Sequence, residues 1–109
     1  MTKYGAKPTT VDGIKFASKK EAAYYQELLL RKQAGDIKDF TLQPTFELQP
    51  GFTKNGKKHR PITYTADFAI THNDGSLEVV DVKGVETPVF KLKRKMFEFS
   101  FKENLSVVK

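Results

Sequence analysis

Cysteine is absent from all 109 residues, which removes disulfides, thiolate metal sites and cysteine nucleophiles together. Histidine is scarce: His59 and His72 are the whole supply, and neither has a partner at zinc-site spacing. No uninterrupted apolar run approaches the roughly 20 residues that a membrane span requires. The polar, basic start from Lys3 to Lys7 lacks the apolar core of a secretory signal. Together these absences predict a soluble chain in a reducing compartment, the cytoplasm. No internal repeat, low-complexity tract or linker divides it, so residues 1–109 are expected to form one domain behind a loose basic lead over residues 1–10.

Acids are missing where bases gather. Residues 1–20 hold Lys3, Lys7, Lys15, Lys19 and Lys20, residues 54–60 hold Lys54, Lys57, Lys58 and Arg60, and residues 91–95 hold Lys91, Lys93, Arg94 and Lys95. Asp12 is the only acid in those stretches, so thirteen of the nineteen basic residues stand almost unopposed. Any one cluster fits a solvated surface. Three together favour a polyanion, because phosphate neutralisation with counterion release rewards clustered lysines. Lys91 and Lys95 fit either a solvated helix face or phosphate contact.

At 39% hydrophobic and 12% aromatic residues, the chain has material for a packed interior. Val11 to Phe16, centred on Asp12-Gly13, predicts a short hairpin. Ser18 with Glu21 three residues later predicts a capped helix start, and good helix formers continue to Ala34 before Gly35 ends the run. Ile37 to Leu48 reads as one long edge strand or a bulged one, interrupted by Pro44, and Gln49 to Lys58 as a loop. From Ile62 to Thr71, Tyr64, Ala66, Phe68 and Ile70 alternate with Thr65, Asp67, Ala69 and Thr71, the pattern of one strand with one apolar face. Leu77 to Lys83 is the next strand. Thr87-Pro88 opens a second helix to about Lys102, with the stripe Val89, Leu92, Met96 and Phe99 expected to pack inward, and Leu105 to Val108 closes the chain as a strand. The order is helix, three strands, helix, strand after a small hairpin, which predicts an α/β (α+β) fold with a mixed central sheet.

The chemistry gathers on two of these strands. A two-residue turn at Asp74-Gly75 would mix polar and apolar faces, whereas a three-residue loop Asn73-Asp74-Gly75 sets Phe68 opposite Val80, Asp67 opposite Asp81, Ala66 opposite Val82 and Thr65 opposite Lys83. Facing aspartates repel unless something positive lies between them. A hard divalent cation, Mg²⁺ or Mn²⁺, suits such oxygen ligands, and Lys83 on the same face could serve water or developing phosphate charge. A pair of surface carboxylates, one salt-bridged to Lys83, is the plainer alternative. Glu21 is explained by helix capping alone, yet it begins the stripe Glu21, Tyr25, Leu28 and could face the same sheet as a further metal ligand. Gln43 either reaches the site or hydrogen-bonds a strand edge. Tyr4, Tyr64 and His59 could stack on bases or serve structure.

These residues, in this order of elements, resemble the PD-(D/E)XK nuclease superfamily, which includes restriction endonucleases and archaeal-type Holliday junction resolvases. Glu21, Asp67, Asp81 and Lys83 fall at the positions of its helix acid, second-strand aspartate and third-strand acid-x-lysine. The third-strand acid is aspartate here, where many members carry glutamate. Lys-Tyr-Gly-Ala-Lys, Phe-Ala-Ser-Lys-Lys-Glu-Ala, Leu-Gln-Pro, Tyr-Thr-Ala-Asp-Phe and Val-Asp-Val-Lys-Gly look like a family of small phage nucleases related to those resolvases. The resemblance implies a restriction-endonuclease-like core and a Mg²⁺-dependent endodeoxyribonuclease acting in phage recombination or branched-DNA processing, in the host cytoplasm. It further implies 5′-phosphate and 3′-hydroxyl products and admits a homodimer. Asp67, Asp81 and Glu21 would hold metal, Lys83 would complete the catalytic set, and Lys3, Lys7, Lys19, Lys20, Lys54, Lys57, Lys58, Arg60, Lys91 and Lys95 would hold the DNA backbone. A noncatalytic DNA-binding module on the same fold is the alternative. An RNA-binding or protein-interaction domain would instead gather basic and aromatic residues on one open sheet face, which the strand patterns do not show.

Overall fold

The structure, a computed structural model, describes residues 7–109; Lys3 and Tyr4, with most of the opening Lys-Tyr-Gly-Ala-Lys, lie outside them. Strands β1 (Thr9–Val11) and β2 (Ile14–Phe16) form the expected hairpin. Asp12 and Gly13 both take left-handed backbone, φ 53° and 77°, as a tight turn matched to strand twist requires. Helix α1 (Lys19–Gln33) starts where Ser18 stays extended and its hydroxyl oxygen accepts the Glu21 N–H at 3.1 Å. Its spaced residues Ala22, Tyr25 and Leu28 are buried together, and Gly35, at φ 80°, turns the chain away.

Two of the expected strands are each broken in half. Residues 37–48 hold β3 (Asp39–Leu42) and β4 (Thr45–Gln49), which pair with different partners. The joint is Gln43, at φ 49°, followed by Pro44, which has no N–H to continue a ladder. Residues 62–71 likewise divide into β7 (Ile62–Thr65) and β8 (Phe68–Thr71) at Ala66-Asp67. Between β4 and β7, the segment expected as a loop is a second hairpin, β5 (Phe52–Lys54) and β6 (Lys57–His59). Its strands lack apolar alternation because every residue in them is exposed, so periodicity could not announce them.

Strand β9 (Leu77–Val82), helix α2 (Pro88–Ser100) and strand β10 (Asn104–Val108) complete the chain. The main sheet runs β10-β9-β8-β3, with β10 parallel to β9 and the other pairs antiparallel. A mixed sheet with two helices is thus the architecture; seven strands separate the helices, and only the three of them in the main sheet, β3, β8 and β9, with β10 after α2, follow the expected order of helix, three strands, helix and strand. No helix among the described residues is long and apolar enough to cross a membrane.

Two apolar clusters divide the core. One gathers Phe16, Ala22, Tyr25, Leu28, Ile37, Phe68, Ile70 and Val80 around α1. The other gathers Tyr64, Ala66, Val79, Phe90 and Phe97 around α2, with Phe46 and Phe101 packed on it. Neighbours Val79 and Val80 point to opposite faces of β9 and enter one cluster each. The break at Ala66-Asp67 has the same effect on the other strand, sending Tyr64 and Ala66 to one side and Phe68 and Ile70 to the other. The single apolar face expected across 62–71 is therefore two half-faces.

Three of the four residues expected to bury α2 lie on its outer face, while Met96 is half-buried. Phe99 is 92% exposed, Leu92 60% and Val89 62%, whereas Phe90 and Phe97 are buried. Aromatic packing decides the rotation: Phe97 lies 5.0 Å from Phe46, 4.9 Å from Phe101 and 5.9 Å from Tyr64 between ring centroids. Contact of Phe97 with three other rings, two of which also touch each other, outweighs the competing stripe.

Candidate active site

The hairpin register brings the two aspartates together. His72 N–H donates to Ser76 O at 2.8 Å and Gly75, at φ 89°, closes the three-residue loop expected at Asn73-Asp74-Gly75. Phe68 then pairs with Val80. One step further the ladder changes character. The Asp67 N–H donates to Val80 O at 3.2 Å, and its carboxyl Oδ2 accepts the Val82 N–H at 2.7 Å.

That side-chain bond takes the place of the next rung, which is why the strand departs here. The pairs expected at Ala66 with Val82 and Thr65 with Lys83 do not form; Ala66 N–H donates to Pro44 O at 3.0 Å, and Thr65 pairs with Thr45. Gln43 enters through its backbone, whose N–H donates to Asp67 O at 2.9 Å, while its side chain is exposed. Left-handed backbone is uncommon for a residue other than glycine. It sits where the two halves of the chain separate around Asp67.

Asp81 is 1% exposed. Burial pushes its carboxyl up to about 7, the Tyr64 hydroxyl opposes that rise, and the Asp67 carboxyl, through charge and a hydrogen bond, adds to it. Tyr64 donates its hydroxyl to Asp81 Oδ2, and the phenol is itself held well above its ordinary value by burial and by that bond. Near neutral pH Asp81 therefore still carries its proton in part of the population. Lys83 places its Nζ 3.9 Å from Asp81 Oδ1 and 4.7 Å from the Phe90 ring centroid, so the ammonium bridges the acid and an aromatic face.

Glu21 is 5% exposed at the start of α1. Burial raises its carboxyl above the usual glutamate range, the Asp67 charge adds to that, and the Ala17 N–H and the Lys83 ammonium oppose it. Its electrostatic partners are thus Asp67 and Lys83, which sets all four sequence-identified residues in one neighbourhood. Among the described residues, however, no three His, Asp or Glu side chains close into a group arranged to hold a metal ion. Asp67 and Asp81 converge, and Glu21 stands beside them.

Tyr64, expected from the sequence among stacking candidates, is instead the hydrogen-bond partner of Asp81. Its signal was available: a tyrosine on an apolar strand face, close to two acids, needs a hydrogen-bond partner once buried. The basic residues expected to hold DNA lie at the surface. Lys7, Lys19, Lys20, Lys54, Lys57, Lys58, Arg60, Lys91 and Lys95 are all exposed, with four of them on the β5–β6 segment, and Lys3 lies outside the described residues.

A family model described as "Protein of unknown function (DUF1064)" matches residues 1–109. Comparison with curated proteins and with solved structures gave no match.

Proposed function

The chain belongs to the DUF1064 family, and for it we propose a metal-dependent endonuclease that hydrolyses DNA phosphodiester bonds on a restriction-endonuclease-like core. The observation that carries this is the convergence of the half-buried Asp67 with the fully buried Asp81, whose carboxyl burial pushes up to about 7, with the Lys83 ammonium 3.9 Å from Asp81. Burying a carboxyl without a cation is costly, and here Tyr64 and Lys83 are positioned around one. The order of elements, and the presence of Glu21 in the same electrostatic neighbourhood, support the same reading.

The donor set fits a hard dication. Two carboxylates from adjacent strands supply oxygen ligands, and phosphate oxygens with water are the usual complement for Mg²⁺ or Mn²⁺. Asp67 and Asp81 would hold such an ion, which would supply a Lewis acid to neutralise phosphate charge and lower the pKa of water. The protein's own part is positioning. Tyr64 fixes the Asp81 carboxyl, the Val82 N–H fixes Asp67, and Lys83 offers a positive charge where negative charge develops on the phosphate. Glu21, with its raised proton affinity, is placed to hold or accept a proton beside Asp67.

A second reading has an observation of its own. The three acids do not close as one metal group, which suits a noncatalytic module that binds DNA through its basic surface. Cleavage assays separate the two. Linear duplex, four-way junction, flap and single strand are incubated with Mg²⁺ or with chelator, using the parent, Asp81→Ala and Lys83→Ala. The expected result is Mg²⁺-dependent cutting of at least one DNA, reduced at least 10²-fold by either substitution. Cutting that the variants share with the parent excludes this site, and binding without cutting under Mg²⁺ or Mn²⁺ favours the module.

A further inference from the structure

The insertion between Gln43 and Asp67 is a two-stranded ribbon in two segments, β4–β7 at its base and β5–β6 at its outer end. Thr45 pairs with Thr65 and, past a bulge between Glu47 and Gln49, Gln49 with Ile62; pairing lapses at Pro50-Gly51 and Arg60-Pro61 and resumes with Phe52 opposite His59 and Lys54 opposite Lys57. Asn55 and Gly56, both left-handed, turn the tip. The base packs on the core through Phe46 and Leu48, whereas every residue from Pro50 to Thr63 is exposed. About ten residues at ~3.3 Å each separate the tip from Asp67, so the ribbon reaches roughly 30 Å.

Its charge makes no sense within the fold alone. Residues 48–66 contain no acid, and Lys54 stands directly opposite Lys57, a cross-strand pairing that repels. Among the described residues Lys54, Lys57, Lys58 and Arg60 make no ion pair. Alternation puts Lys54 and Lys57 on one face with the stacked Phe52 and His59 rings, 4.5 Å apart, and Lys58 and Arg60 on the other. The stacked rings stiffen the arm between its charged tip and its base.

We infer that this ribbon is an arm that lies in the major groove of duplex DNA, about one helical turn from the acid pair. Two strands about 4.8 Å apart, with their side chains, fit a groove about 12 Å wide and not a minor groove of about 6 Å. Cations on both faces meet phosphates on both walls. The reach of roughly 30 Å matches one turn of B-form DNA, near 34 Å. A-form RNA, with its deep and narrow major groove, excludes the arm. The position of the cut relative to the arm rests on the nuclease reading; the binding itself does not.

Binding is measured in chelator, without cutting, on a labelled duplex of about 30 base pairs, near three turns. The parent is compared with the triple variant Lys54→Ala, Lys57→Ala, Lys58→Ala. Each lysine that neutralises a phosphate contributes nearly one unit to the slope of log affinity against log salt, so the variant's slope should be shallower by about 3. Duplex RNA and single-stranded DNA of the same sequence should bind the parent at least tenfold more weakly than duplex DNA. An unchanged slope, or equal affinity for RNA duplex or single strand, overturns the inference. Because the chain has no cysteine, Thr53→Cys gives a unique thiol for a tethered hydroxyl-radical source, expected to cut duplex in a localised patch and not evenly. Mg²⁺-dependent cleavage is read separately. If it persists while the slope is unchanged, the arm fails and the acid pair stands; if the slope falls without any cleavage, the reverse holds.

Discussion

At Asp81 the pH dependence can be worked out in sign. Its carboxyl titrates near 3.8 as a free group and at about 7 in the fold. Between those values the folded chain keeps a proton that the unfolded chain has lost, so stability falls as pH rises from about 4 to about 7, by an amount on the order of 4 kcal/mol at full ionisation. Thermal unfolding in chelator should show that decline, and Asp81→Asn should flatten it while abolishing cleavage. Cleavage should have the opposite dependence, rising with pH through about 7 as the proton yields its place to the cation. Tyr64→Phe removes the bond that lowers the Asp81 value, so the acid limb of its pH–rate profile should move upward. An unmoved limb would assign that limb to another group. The meeting of Asp67 and Asp81 was legible because strand alternation and one turn fix the register up to Phe68–Val80. Tyr64 was less so, because a sequence displays its ring as core and only burial of its hydroxyl reveals the partner.

Helix α2 shows what periodicity leaves undecided. Two apolar stripes share it, Val89–Leu92–Met96–Phe99 and Phe90–Phe97, and at helical spacing either could face inward. The aromatic partners Phe46, Tyr64 and Phe101, distant in sequence, decide for the second. Phe97→Ala should therefore destabilise by roughly 3–5 kcal/mol, while Phe99→Ala should stay within about 0.5 kcal/mol, as denaturant midpoints would show. Equal costs would contradict the rotation described. The broken strands were hidden for a similar reason. Pro44 announced an interruption at the first joint but not that its two halves take different partners; at Ala66 no local breaker announced the second, which arises because the Asp67 side chain takes the Val82 N–H from the ladder, a tertiary event. Caps were easier: Ser18 and Thr87 each accept an N–H three residues on, a local geometry written in local sequence.

Across the whole molecule, a compact two-sided core carries a long projecting ribbon, consistent with dimensions of 54 × 40 × 23 Å. Gly51 guards the passage from the base of the ribbon to its outer half: a Cβ there would come 3.0 Å from the His59 carbonyl and 3.2 Å from the Pro61 ring. Gly51→Ala should bend the outer half, leaving the unfolding midpoint within about 1 kcal/mol because the core is untouched, while weakening duplex binding. A variant with parental affinity would show that the crossing has slack. Since Gln49 and Ile62 already face each other as a pair, residues 50–61 can be exchanged for a tight Asn-Gly turn, or for a longer hairpin, without altering a single core contact. The protein thus comes with an adjustable ruler: trimming or extending that one cassette should reset how much double helix is measured out beside the acids.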